Sequence, residues 1–209
     1  MHLLFKGLRK KINRNLYIFN IGKQNLNSLK FEYAVVNFNL KEQILKEHSK
    51  AQCSKIVNWV GASQQRFDEL FHLFLTDEYR VVQRAAWPIS YCVIAYPDFI
   101  KKHWGSLIKN LHKPNLHNAV KRNSIRLLQD IDIPKKYQGQ IMNLCFKYVE
   151  SPTEAVAVKA FSLTVLNNLA KQYPEIIPEI KLLIEDQLVH QTAAFKSRAK
   201  LFILEVSKI

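Results

Sequence analysis

A pattern of apolar, polar and small residues returns four times along this chain. In each copy an apolar residue is followed directly by a polar one, and a small residue stands four positions after the apolar one. The pairs are Val82-Gln83, Val120-Lys121, Val158-Lys159 and Phe195-Lys196, and the small residues are Ala86, Ser124, Ser162 and Ala199. Successive copies are 38, 38 and 37 residues apart. A fixed period of this length predicts stacked helical hairpins, because one hairpin cannot bury its apolar face alone.

Three of the copies extend into an apolar stripe with the spacing i, i+4, i+7, i+8 and i+11, which marks one face of an α-helix. These stripes are Val120/Ser124/Leu127/Leu128/Ile131, Val158/Ser162/Val165/Leu166/Leu169 and Phe195/Ala199/Phe202/Ile203/Val206. The first copy is looser and contains Pro88, which should kink that helix. We expect the stripes to be buried between neighbouring hairpins and to hold the stack together.

Prolines and polar residues between the stripes indicate where the helices begin. Pro97, Pro134 and Pro174 fall at or near a first helical position, where proline is tolerated. Asn115 and Thr153 stand six residues before Lys121 and Lys159, where we predict the N-caps. The predicted helix pairs are 64–75/78–95, 98–112/116–131, 135–149/153–171 and 175–188/192–208, with one or two further helices at 40–60 as an N-terminal cap.

The run Val-[Lys/Arg]-x-x-small-x-x-x-Leu on the second helix of each pair resembles the HEAT repeat. Val120 to Leu128 and Val158 to Leu166 match it best, and the resemblance covers roughly residues 64–208. It implies an all-α, right-handed superhelical solenoid of the HEAT or armadillo type, with about four hairpins whose second helices line the concave surface. The acid of the family's Asp/Arg ladder survives only as Asp77, and the other copies have Asn115, Thr153 and His190 there. The resemblance therefore implies a stack held by apolar stripes rather than by a salt-bridge ladder.

The net charge of +14 divides the chain into two predicted regions. Residues 1–30 contain seven Lys and Arg residues and no acid. This segment shows no periodic apolar face, and we predict a basic N-terminal extension over 1–38 and a HEAT-like repeat domain over 39–209. Three interpretations of the extension stay open: a flexible basic arm, a targeting presequence, or residues upstream of the natural start.

Cysteine usage and motifs narrow the function classes. Cys53, Cys92 and Cys145 form no CxxC pair, which indicates buried apolar-like thiols in a reducing cytosol and hence a cytoplasmic protein. No apolar run approaches the ~18 residues of a membrane span. The chain carries no P-loop, G-x-S-x-G or H-E-x-x-H motif, so we predict no enzyme activity, no cofactor and no metal. His103, His112 and His117 fit solvated helix ends better than metal ligands.

Charge on the predicted second helices gives the clearest functional signal. These helices carry 11 Lys and Arg residues against 4 acids, whereas the first helices carry 8 against 7. A concave surface concentrates such a field and attracts anions. We therefore predict a binding or scaffold module whose basic concave surface holds an acidic protein or peptide. The candidate contact residues are Arg80, Arg84, Lys121, Arg122, Arg126, Lys159, Lys196 and Arg198, together with Lys200.

Two other interpretations stay open for this surface. Lysine-rich helix faces are commonly only solvated. Alternatively, the surface binds nucleic acid, and some HEAT-like solenoids are DNA glycosylases that hold duplex DNA in a basic groove containing Trp, Asp and Arg. Trp87 shares its predicted helix with Arg80 and Arg84, but no Asp stands beside it on that helix face. Trp59 and Trp104 fit core packing.

Overall fold

The computed structural model describes residues 38–76 and 78–207, and these residues form ten α-helices and no strand. The helices are α1 (Leu40–Lys46), α2 (Lys50–Val60), α3 (Gln64–Thr76), α4 (Tyr79–Ala95), α5 (Trp104–Leu111), α6 (Asn118–Leu128), α7 (Lys135–Glu150), α8 (Val156–Ala170), α9 (Ile177–Gln187) and α10 (Ala193–Val206). Short 3₁₀ segments at Pro97–His103, Pro174–Ile176 and Leu188–His190 accompany α5 and α9. Residues 1–37 of the predicted extension and Asp77 lie outside the described residues.

The predicted hairpins are confirmed in number and order. Helices α3/α4, α5/α6, α7/α8 and α9/α10 form the four pairs, and α1 and α2 precede them as the N-terminal cap. Two first helices begin as 3₁₀ turns, in each case at the proline that the sequence places there. Helix α4 continues through Pro88, which is buried within it.

The helix starts differ from the predicted N-caps by two residues. Helix α6 is capped by His117, whose Nδ1 accepts a hydrogen bond from the backbone N–H of Ala119 at 3.0 Å. Helix α8 begins after Ala155, so Thr153 lies in the preceding turn. The prediction of Asn115 as N-cap is therefore wrong; its backbone has φ +55° in the left-handed region, where asparagine is one of the better-tolerated residues.

Hydrogen bonds between layers join residues about one repeat apart. The Arg84 guanidinium donates to the Leu45 carbonyl, 39 positions earlier, and the Gln187 amide donates to the Val149 carbonyl, 38 positions earlier. Asn168 donates to the Gln129 carbonyl across 39 positions. Within the described residues no side-chain hydrogen bond spans two repeats. The described residues from Leu40 onward therefore form a solenoid whose layers are joined by side-chain hydrogen bonds only to their neighbours.

The second helices pack on one another in sequence order, α4 on α6, α6 on α8 and α8 on α10. This packing buries most positions of the predicted stripes, and Leu128 and Leu166 are 1% and 0% exposed. Ile131, the last position of its stripe, lies beyond the end of α6 and is half-buried. The last stripe departs from the prediction. Phe195, Ala199 and Phe202 are buried, but Ile203 is 40% exposed because none of the described helices packs on α10 as α10 packs on α8. The expectation that Ile203 is buried was therefore wrong.

Candidate binding surface on the second helices

Helices α4 and α6 each carry two arginines one helical turn apart, Arg80 and Arg84 on α4 and Arg122 and Arg126 on α6. Arg80 and Arg122 are exposed, whereas the second member of each pair is anchored on the preceding layer. Arg84 donates to the Leu45 carbonyl at 2.6 Å. The guanidinium of Arg126 lies 4.8 Å from the centre of the Tyr91 ring and donates to its hydroxyl at 3.3 Å. The structure thus gives α4 and α6 two exposed and two half-buried guanidinium groups.

Lys121 is engaged inside the stack. Its Nζ lies 2.6 Å from Glu154 Oε2, and the side chains are 19% and 6% exposed. The same ammonium lies 5.6 Å from the centre of the Tyr148 ring. Glu154 is the residue beside Thr153, where sequence reasoning found no acid. A contact between a base and an acid of neighbouring layers therefore exists here. Considering Glu154 as well as Thr153 at the family's acid position would have predicted it.

Lys159 occupies the equivalent position one repeat later and is 3% exposed. Its Nζ donates to Gln187 Oε1 at 2.9 Å. Burial lowers the pKa of Lys159 below its usual value, although the charge of Glu154 acts in the opposite direction. Burial, and then the same carboxylate, raise the pKa of Tyr148 above its usual range. Lys159 is thus directed into the next layer, and a ligand at the surface cannot reach it without displacing α9.

The third base at this position, Lys196, is exposed on α10. Arg198 is half-buried and Lys200 is exposed on the same helix. The structure therefore separates the predicted residues into three groups. The exposed bases are Arg80, Arg122, Lys196 and Lys200, the half-buried ones are Arg84, Lys121, Arg126 and Arg198, and Lys159 is buried.

The surroundings of Trp87 bear on the DNA glycosylase interpretation. Trp87 is half-buried, and its ring meets that of His48 edge to face with 5.8 Å between centroids. The adjoining cleft, which Glu47 and Arg84 also line, has a volume of about 10 Å³. That is room for about one water molecule and not for a nucleobase. Trp104 is buried in the core, as expected.

The predicted helix-end histidines lie apart and have separate partners. His112 Nδ1 is 2.9 Å from the Ile108 carbonyl, and His117 caps α6. His103 Nε2 lies 2.7 Å from Asp68 Oδ1. Burial raises the pKa of Asp68, but hydrogen bonds from Lys102, Gln64 and His103 outweigh it, so the net shift is downward. Among the described residues no group of three or more His, Cys, Asp and Glu side chains is placed to hold a metal ion.

The three thiols are buried and unpaired, as the sequence predicts. Burial raises the pKa of each to about 12, so each remains a neutral thiol near pH 7. A nucleophilic cysteine needs a lowered pKa and access to solvent. These residues therefore serve packing.

Comparison with known proteins agrees with this geometry. None of the described helices has the length and apolarity that crossing a lipid bilayer requires. No curated protein and no solved structure matches the chain. A family model of the HEAT repeat domain matches residues 40–200, which is most of the chain and begins at the first residue of α1. The four stacked hairpins and this match together show that the chain belongs to the HEAT-repeat family.

Proposed function

We propose that this protein is a non-enzymatic binding or scaffold module that holds an acidic protein or peptide on the basic surface of its second helices. The HEAT-repeat family supports a role in protein interaction. The observation that carries the finer proposal is the excess of nine bases over one acid on helices α4, α6, α8 and α10. Three buried, unpaired thiols support a cytoplasmic location, where thiols stay reduced.

The bases of α4 and α6 suit this role because two of their side chains are already held in place before a ligand binds. Arg126 stacks on Tyr91, and Arg84 is tied to the Leu45 carbonyl. A guanidinium has five N–H donors, so one hydrogen bond leaves others for a carboxylate. A side chain that is already ordered loses less conformational entropy when a ligand binds. Exposed Arg80 and Arg122 add charge beside these anchored groups.

The central test changes charge on this surface and measures binding of a labelled acidic peptide by fluorescence anisotropy. The variant Arg80→Glu/Arg122→Glu reverses the two exposed bases of these helices. Lys121, Arg126 and Lys159 are left intact because reversing a base inside the stack would disturb the fold. The matched control Lys109→Glu/Lys147→Glu makes the same change at exposed positions of the first helices.

We expect the second-helix variant to lose at least about tenfold in affinity and the control to change by less than about threefold, because the proposal places contacts on one face. Equal loss in both variants would leave only net charge as the cause and would refute the proposal. The same proteins titrated with duplex DNA test the alternative. Tighter binding to DNA, with a log–log salt slope near −0.9 per phosphate contact, would favour a nucleic-acid-binding function instead.

A further inference from the structure

Exposed apolar side chains concentrate at the C-terminal end of the solenoid. Eight large hydrophobic residues are exposed within the described part of the chain, and six of them lie between positions 182 and 204. They are Leu182, Leu188, Val189, Leu201, Ile203 and Leu204. Four of these six, Leu188, Val189, Ile203 and Leu204, line one groove. A contiguous apolar patch on a protein surface marks an interaction site. The end of α9–α10 therefore needs a separate explanation from the basic surface of α4 and α6.

The repeat itself shows how such a face is normally covered. Ile203 stands 37 residues after Leu166, which is 0% exposed because α10 packs on α8. Lys196 stands 37 residues after Lys159, whose ammonium is 2.9 Å from Gln187 of the next layer. The outer face of α10 thus continues an interface that the molecule already forms between its own layers. At α10 the described residues supply one side of that interface only.

The uncovered face is concave. Ile184, Leu188, Val189, Ile203 and Leu204 line a groove of about 510 Å³ between α9 and α10, and Lys196 and Lys200 line it too. This volume falls within the range of ~300–1,000 Å³ that is typical of ligand sites. An apolar groove with bases beside it is the shape in which an amphipathic helix binds.

The N-terminal end of the stack differs in polarity. The exposed residues of α1 and α2 are polar or charged apart from Ala51: Lys41, Glu42, Lys46, Lys50, Ser54, Lys55 and Asn58. The exposed residues of α1 and α2 are therefore typical of a solvated surface, whereas those of the α9–α10 groove are largely apolar.

Charge decides which occupant fits the groove. The only acid on α10 is Glu205, whose carboxylate already contacts Asn167 and Lys171. The groove itself is lined by Lys196 and Lys200 and by no acid, although Glu185 and Asp186 are exposed on the neighbouring α9. The polar α1–α2 end of a second copy could not fill an apolar groove. Within the stack, the lysine at this position meets a carboxylate at Glu154 or an amide oxygen at Gln187.

We infer that the α9–α10 groove binds an amphipathic helix of a partner protein, which inserts apolar side chains between Ile184, Leu188 and Ile203 and directs carboxylates to Lys196 and Lys200. The helix would lie on α10 as α10 lies on α8. This inference does not depend on the basic surface of α4 and α6.

The test uses the full chain and a labelled helical peptide of about 20 residues with a leucine stripe at i, i+4, i+7 and i+11, flanked by glutamates. Two control peptides replace the leucines by serine or the glutamates by lysine. The protein variants are Ile203→Glu and Lys196→Glu/Lys200→Glu, all at exposed positions. Circular dichroism and light scattering establish that each variant is folded and give its oligomeric state.

We expect the Leu/Glu peptide to bind the natural chain, and both protein variants to weaken it by at least about tenfold. The lysine peptide should gain affinity for Lys196→Glu/Lys200→Glu, which a merely structural effect would not produce. Unchanged affinity for Ile203→Glu, equal binding of the serine peptide, or no binding of any peptide would overturn the inference. So would a dimer that Ile203→Glu dissociates, since a second copy would then occupy the groove. The arginine variant of α4 and α6 should bind this peptide as the natural chain does.

Discussion

Helices α8 and α10 carry the same sequence pattern and have different surroundings. Both present an apolar residue, a lysine, a small residue and an apolar stripe at matching positions. On α8 the next layer buries Leu166 and accepts a hydrogen bond from Lys159, whereas on α10 Ile203 and Lys196 are exposed. The pattern therefore encodes a face that can be packed. Whether that face contributes to stability depends on the layer beside it.

The largest expected effect comes from shortening the equivalent apolar side chain on α8 and on α10. Leu166→Ala should lower the free energy of unfolding by about 3 kcal/mol, because it removes packed methyl groups and leaves a cavity. Ile203→Ala should lower it by less than about 1 kcal/mol, since that side chain is 40% exposed. Urea unfolding followed by circular dichroism measures both. Similar losses in the two variants would mean that the α10 face is covered in the free protein.

The ion pair between the second and third hairpins gives a smaller contrast. Glu154→Gln keeps the shape of the side chain but removes the charge that faces Lys121 at 2.6 Å. We expect a loss of about 2 kcal/mol in unfolding free energy. The Lys121 side chain is only 19% exposed, so its ammonium group would then have little contact with water and no charged partner.

The control for this pair is Lys196→Gln, which changes charge at the equivalent exposed position of α10. It should alter stability by no more than about 0.5 kcal/mol, the usual range for surface substitutions. Guanidinium chloride would screen the ion pair, so urea is the appropriate denaturant. A Glu154→Gln variant as stable as the natural chain would show that the pair adds nothing to the stack.

The smallest expected effect concerns the small residue of the repeat. Ser124 is buried and its hydroxyl has no hydrogen-bond partner among the described residues, while Ala86 and Ala199 occupy the same position in the first and last copies. Ser124→Ala should raise the unfolding free energy by about 1 kcal/mol, because an unsatisfied hydroxyl is costly to bury.

Ser90 is the matched control, since it is equally buried but donates to the Trp87 carbonyl at 2.9 Å. Ser90→Ala should leave stability unchanged or lower it by up to about 1 kcal/mol. Thermal unfolding of the two variants measures the difference. A destabilised Ser124→Ala would indicate a hydrogen bond that the hydroxyl makes in solution.

The sequence predicted the helical hairpins because their information is local and repeated. The period, the stripes and the prolines together located all four helix pairs. Each copy of the pattern could also be compared with three others. Helix starts were less accurate, since Asn115 and His117 are both acceptable caps and only the backbone geometry selects His117. The choice depends on the turn that follows α5, which sequence spacing does not specify.

The candidate surface was predicted only in part, because charge can be counted from sequence but exposure cannot. Lys121, Lys159 and Lys196 are equivalent in the repeat, yet the first meets a carboxylate, the second an amide and the third solvent. Which partner each one meets is decided by a residue near the end of the following first helix or in the turn after it. The groove beside Ile203 was missed for a related reason, since a periodic pattern does not reveal which faces the described helices leave exposed.

Bonds that reach only one repeat forward or back also determine how the protein comes apart. A local opening of α9 and α10 breaks the Gln187–Val149 and Asn167–Glu205 contacts but no side-chain bond of α3 to α6 among the described residues. If α9 and α10 open, the apolar face of α8 becomes exposed in place of that of α10, while the preceding hairpins stay folded. Partial unfolding of this chain would therefore expose the same kind of apolar surface one hairpin earlier in the stack.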